Sequence, residues 1–452
     1  MNPDLDLQSL LQAYRHNETT PRLVLESLWK KIETSDPAIW ISRPSWDKVG
    51  QQLHALEQQS PDDLPLYGIP FAIKDNIDVQ QEPTTCACPA YAYIASESAF
   101  IVQRLMAAGA IPVGKTNLDQ FATGLVGVRS PYGIPKNAYH EKYTPGGSSS
   151  GSAVAVAKGL CSFSLGTDTA GSGRIPASLN HLVGVKPTRG ILSTRGVVPA
   201  CRTLDCPSIF ALQATDAAYV LEVLLAYDDQ DPYSRKMQPY PMKPVHELVI
   251  GVPYDHQLEF FGNDSAAALF QKSLVTLSSM GVELKSINFQ PFLDAARLLY
   301  EGPWVAERYA VIEELIIQQP DALHPVTRQI IEGAASSRTV DAFRAQYRLA
   351  ELHRESEKTW DEVDLVITPT AGTHYTVDEV LAEPLLLNSH LGRYTNFMNL
   401  LDLCAWAVPA GFLHTGMPWG VTFFAPAFAD DQIAALAQSF MMPDSRTPLP
   451  EE

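Results

Sequence analysis

Residues 143–176 read YTPGGSSSGSAVAVAKGLCSFSLGTDTAGSGRIP. A glycine- and serine-rich loop runs into AVAVAK, a stretch of small residues suited to a short helix packed closely under a sheet, and Gly159 ends it. LCSFSLG follows as a buried strand, then the tight loop TDTAGSG, then another helix with Pro176 near its start. Helix, strand, polar loop and helix in succession are the rhythm of an α/β fold, which carries its chemistry on loops at strand ends and helix starts.

The same alternation extends in both directions. Upstream, LYGIPFAIKD reads as a strand, SAFIVQRLMAAG as a helix closed by Gly109, and AIPVGKT as a strand. Residues 5–34 read as two amphipathic helices broken near His16, Asn17 and Glu18, with Thr20 as a cap and Pro21 in the first turn. Downstream come ELVIGVPYD as a strand, a helix from Asp264 to Met280, VELKSINF as a strand, two long helices between about 291 and 358, and DLVITPT as a strand. CAWAVPAGF and WGVTFFAPAF complete the core strands. No linker, change of composition or internal repeat divides the halves. One domain around a single sheet is expected, with 1–60 a helical lead-in and 61–452 the core.

The net charge of −18 and pI near 5.0 oppose a nucleic-acid backbone or an anionic membrane as the main partner. No window reaches the ~20 apolar residues of a membrane span. The start, MNPDLDLQSLLQ, lacks the basic and apolar regions of a secretory signal, so a cytoplasmic location is expected. The six cysteines hold no C-x-x-C pair and the eleven histidines no H-E-x-x-H, so neither metal nor cofactor is expected.

Two short patterns compete for the function. Gly109 to Thr116, GAIPVGKT, formally matches a phosphate loop, but its apolar interior reads as a strand that would bury the amides a phosphate needs. Gly147 to Gly151, GSSSG, formally matches a nucleophile elbow at Ser149, yet YTPGG is a poor strand ending.

A third set suffices for acyl transfer without histidine: Lys74, Ser148 and Ser172. A serine hydroxyl needs a base, and a lysine serves as one only when burial or cationic neighbours keep it neutral. Lys74 ends the apolar run IPFAI, which buries its stem. The loop Thr169, Ala170, Gly171 and Ser172 offers backbone N–H groups to a developing oxyanion, and Asp168 and Arg174 flank it as braces.

IKDN, GGSSSGS and LGTDTAGSGRIPA, with Ser148 and Ser172 24 positions apart, resemble the amidase signature family over roughly residues 60–215 strongly and the remainder loosely. The resemblance implies a central mixed β-sheet covered by helices on both faces. It implies Lys74 as base, Ser148 as relay after a cis peptide with Gly147, and Ser172 as nucleophile. TTCACPAYAY, KPTRGILSTRGVVPACRTLDCPSIFA and LYEGPWVAERY are similar to the allophanate-hydrolysing branch of that family. That branch implies a small anionic amide as substrate, cleaved with release of ammonia in urea catabolism. Tyr300 and Arg308 would hold its carboxylate and Gly124 would offer a backbone contact. Eight residues apart on one helix, Tyr300 and Arg308 would share a face. Longer members of the branch often carry a smaller C-terminal domain, which this chain, ending in PDSRTPLPEE, is expected to lack. Alternatives are a general amidase, an amidotransferase A-subunit-like enzyme, or a non-catalytic or nucleotide-binding scaffold; a homodimer is left open.

Overall fold

Eleven strands form one mixed sheet in the computed structural model, which describes residues 5–441; the terminal PDSRTPLPEE lies outside them. From edge to edge the strands are Trp40–Ser42, Ile111–Thr116, Pro70–Lys74, Phe163–Thr167, Pro207–Ala211, Val183–Lys186, Leu403–Phe412, Pro418–Pro426, Leu365–Pro369, Val249–Pro253 and Glu283–Ile287. Pro70–Lys74 runs parallel to both of its neighbours, as does Val249–Pro253, while the strands between these groups pair antiparallel.

Both faces of the sheet are covered, as the alternation along single strands shows. Leu365, Ile367, Trp406 and Phe423 enter one core with Phe270 and Leu277 from the helix Asp264–Ser279 and with Ile433 and Leu436 from the helix Asp430–Phe440. Their neighbours Val366, Ala405 and Phe424 enter a second core with Phe292 and Ala296 from the helix Gln290–Glu301 and with Leu352. The expected architecture is therefore present, helices on both faces included.

The lead-in forms helices Leu7–Arg15 and Pro21–Thr34, and Thr20 accepts the Leu23 N–H as the cap read from sequence. The expected pair of long helices between about 291 and 358 is instead four: Gln290–Glu301, Val305–Gln318, Pro325–Glu332 and Thr339–Glu357. Prolines explain the first two of the three divisions; the third, between Glu332 and Thr339, holds none. Pro303 cannot donate a helical hydrogen bond and pushes Gly302 out of the helical region, to φ −97 and ψ −174. Pro320 and Pro325 do the same between the next two.

Candidate active site

Strands Pro70–Lys74 and Phe163–Thr167 are parallel neighbours, so their carboxyl ends lie side by side. One brings Lys74 and the other Thr167. The intervening helix Ser150–Ala157, buried along its length because it is built of small residues, brings Ser148 to the same place from its N-terminal side. Lys74 Nζ lies 2.7 Å from Ser148 Oγ and 2.8 Å from Thr167 Oγ1 and donates to both. The peptide between Gly147 and Ser148 is cis. Lys74 is fully buried, and that burial lowers its pKa to about 7 against the pull of Asp119, Asp168 and Asp205. At that value about half of the molecules carry a neutral lysine with a free lone pair at pH 7.

Ser172 stands in the loop after Thr167, 3% exposed, and its hydroxyl makes no hydrogen bond among the described residues. The loop is held from beneath. Asp168 takes Arg174 in a two-pronged ion pair of 2.8 and 2.9 Å and accepts the N–H groups of Gly171 and Gly173, with both charged side chains fully buried. Burial pushes the Asp168 carboxyl up, but Arg174, Lys186 and the loop amide outweigh it, leaving the group below its ordinary value. From the opposite half of the chain, Asn399 donates to Asp168 O, Thr395 donates to Ala170 O, and Arg174 donates to Thr395 O. Gly171 sits at φ +130, where an added Cβ would also run into Thr395 Oγ1.

The Gly171 N–H therefore points to Asp168, correcting its expected place among the oxyanion donors. The N–H groups of Thr169, Ala170 and Ser172 make no hydrogen bond among the described residues. Removing the Asp168 charge leaves Arg174 buried and unpaired, so Asp168→Asn is expected to cost about 3 kcal/mol of unfolding free energy, a loss read by urea denaturation.

Tyr300 and Arg308 are not on one helix: Tyr300 ends Gln290–Glu301 and Arg308 lies in Val305–Gln318, beyond the Gly302–Pro303 break. The shared-face expectation fails there for the reason given above, yet both residues still adjoin the loop region. Tyr300 packs with Trp304 and Cys201 in the cluster that includes Ala170. Arg308 is 3% exposed and donates from one nitrogen to Phe121 O, Ala122 O and Thr123 Oγ1, directly before Gly124. No carboxylate lies within 4 Å of its guanidinium among the described residues; its neighbour Glu307 instead accepts from Thr203. Gly124 has no room for a side chain, since a Cβ would stand 2.6 Å from Asp119 Oδ2.

The competing motifs resolve structurally. Ile111–Thr116 is a buried inner strand, and Lys115 is held by Asp75 at 2.9 Å, Pro83 O and Thr84, so the phosphate-loop pattern is no loop. Ser149 donates to Thr167 O and accepts from Thr167 N, which makes it a brace of the strand end. Sequence reasoning missed Thr167, the second partner of Lys74, and Asp119, whose carboxylate takes the N–H groups of Val126, Gly127 and Arg129 and shapes the Gly124 loop. The threonine that opens the quoted loop TDTAGSG was the only available signal.

This chain belongs to the amidase family, whose model matches residues 23–434. Among curated proteins it is 45% identical over 434 residues to urea amidolyase of Saccharomyces cerevisiae, covering 94% of this chain and 24% of that protein. Urea amidolyase of Lachancea kluyveri is 42% identical over 435 residues, with the same 94% and 24% coverage. The chain thus spans about a quarter of the length of these relatives. Among solved structures, allophanate hydrolase of Kluyveromyces lactis superposes with a TM-score of 0.94 at 40% identity, covering 99% of this chain and 74% of that one.

Proposed function

We propose that the chain is an amidohydrolase that cleaves allophanate and releases ammonia, within urea degradation. The observation that carries the substrate is Arg308, buried with no acid in ion-pair range beside the Gly124 loop. A guanidinium in that state favours an anionic ligand, and a carboxylate fits its fork. The relatives named urea amidolyase and allophanate hydrolase support the same choice.

In this reading Ser172 Oγ attacks the terminal amide carbon. Its proton passes to Ser148 Oγ as the proton of Ser148 passes to Lys74 Nζ. The amides of Thr169 and Ala170 stabilise the oxyanion. Collapse returns a proton through Ser148 to the leaving nitrogen, which departs as ammonia and leaves an acyl group on Ser172. Water attacks that ester by the same route and frees the dicarboxylated amine. No step calls for a metal or cofactor. The reading takes the chain as one amidase domain acting in the cytoplasm on a small anionic amide, as a monomer or homodimer.

The test is ammonia release from allophanate, biuret, malonamate and aliphatic or aryl amides. Arg308→Ala is expected to raise KM for allophanate by about 10²-fold while kcat changes far less, because the contact is made in ground and transition states alike. Neutral amides should be poor substrates and indifferent to the change. Preference for aryl or long aliphatic amides would sink the allophanate assignment and leave a general amidase.

A further inference from the structure

A second guanidinium is buried beside Gly124, on the side away from Arg308. Arg129 is 1% exposed, and an added Gly124 Cβ would stand 3.2 Å from its Nη1. Its side chain donates to two backbone carbonyls, Thr123 O at 2.9 Å and Pro384 O at 2.7 Å, and its Nε has no partner among the described residues. No carboxylate lies within 4 Å of its guanidinium there either. Asp119, whose charge reaches it, has its own oxygens turned to the N–H groups of Val126, Gly127 and Arg129. Burial pushes the Arg129 pKa below the ordinary arginine value; Asp119 and Tyr300 oppose this and Arg308 reinforces it. An arginine stays charged even so. Thr123 is thus gripped by two cations, Arg129 on its carbonyl and Arg308 on its hydroxyl at 3.0 Å. Two like charges out of water repel unless an anion joins them.

The peptide joining Thr123 to Gly124 is where these contacts meet. It is trans, so its carbonyl and its N–H point opposite ways. Arg129 takes the carbonyl. Gly124 is buried, and its N–H makes no hydrogen bond among the described residues, a rare state for a buried amide and one that a ligand oxygen would relieve. We propose that Arg129 is a positioning residue that sets the selectivity of the site for an anionic substrate. It pins the Thr123–Gly124 peptide by its carbonyl, turns the Gly124 N–H toward the ligand, and adds a second positive charge to that of Arg308. Donation to the carbonyl also polarises the peptide and strengthens its N–H as a donor. The ligand oxygen, on the allophanate reading on which this role rests, belongs to the substrate carboxylate. The second contact of Arg129, to Pro384 between the helices Val377–Ala382 and Leu386–Gly392, ties the loop to the far half of the chain, where Asn388 accepts the Leu125 N–H at 2.8 Å.

Allophanate and biuret form a matched pair, one ending in a carboxylate and the other in a neutral amide, and ammonia release reads both. In Arg129→Met, uncharged and similar in length, the ratio of kcat/KM for allophanate to that for biuret is expected to fall by about tenfold or more, chiefly through KM for allophanate. A loss of structure alone would lower both substrates together and leave the ratio where it was. Arg129→Lys keeps the charge but lacks the fork that spans two carbonyls, so its ratio is expected to fall as well, by less. It serves in place of the methionine variant should that chain fail to fold. A serine-acylating reagent should still label Ser172 in both variants, showing that the nucleophile remains in place. A parent chain with no preference for allophanate over biuret removes the allophanate reading and this role with it. A parent preference that survives unchanged in Arg129→Met and Arg129→Lys, or a parallel loss of both substrates, overturns the role of Arg129 and leaves the allophanate reading standing.

Discussion

Replacing Ser172 by alanine is expected to lower kcat by about 10⁴-fold or more, the scale on which loss of a covalent nucleophile acts. Ser149→Ala is expected to leave kcat within about tenfold of the parent and to cost about 1 kcal/mol of stability. The contrast follows from where the two hydroxyls point. Ser149 is buried with its oxygen committed to the backbone of Thr167, so it has no proton path to Lys74 and no open side toward a substrate. Among the described residues Ser172 Oγ is uncommitted, and so are the amides of Thr169, Ala170 and Ser172 itself. A reagent that acylates serine should label the peptide bearing Ser172, as read by mass mapping of the digested protein. Activity surviving in Ser172→Ala and lost in Ser149→Ala would reverse the assignment.

Why one serine was separable from its neighbours in the bare sequence, while other features were not, has a physical basis. Loops rich in glycine and serine between apolar runs are local signals, and Lys74, Ser148 and Ser172 each sit at the mouth of such a run. The caps and glycine stops were equally local: Thr20 and Gly159 act within one turn of themselves. What lay beyond reach depends on distant pairing. Thr395 and Asn399 clamp the loop from more than 220 positions away, and nothing in NFMNLLD announces it. Short strands such as Val183–Lys186 owe their state to neighbours on both sides, since four residues carry too little periodicity to declare themselves. The shared-face expectation for Tyr300 and Arg308 failed at a local signal, the proline at 303, yet Tyr300 still packs in the cluster that holds Ala170 and Arg308 still reaches the backbone before Gly124.

The rate of the parent enzyme is expected to rise with pH through an apparent pKa of about 7, instead of the ordinary lysine value of about 10.4, in kcat/KM for allophanate. The sign follows from the role: a base must be neutral, so activity tracks the deprotonated fraction and falls about tenfold for each unit below that pKa. Lys74→Arg holds a permanent charge at the same place and is expected to lose about 10³-fold or more in kcat at every pH, with no recovery at alkaline pH. The same shift must appear in stability. Between about 7 and 10.5 the unfolded chain keeps a proton on this lysine that the folded chain has given up, so folding grows more favourable as pH rises through that window. Lys74→Met, uncharged and similar in length, should remove that part of the slope as well as turnover. Denaturant midpoints of parent and variant across the window measure the difference. A parent rate that climbs only toward pH 10, or an active Lys74→Arg enzyme, would mean that another group takes the proton. The stability slope then distinguishes a lysine that is neutral but idle from one that is charged throughout: the first keeps the slope and the second does not.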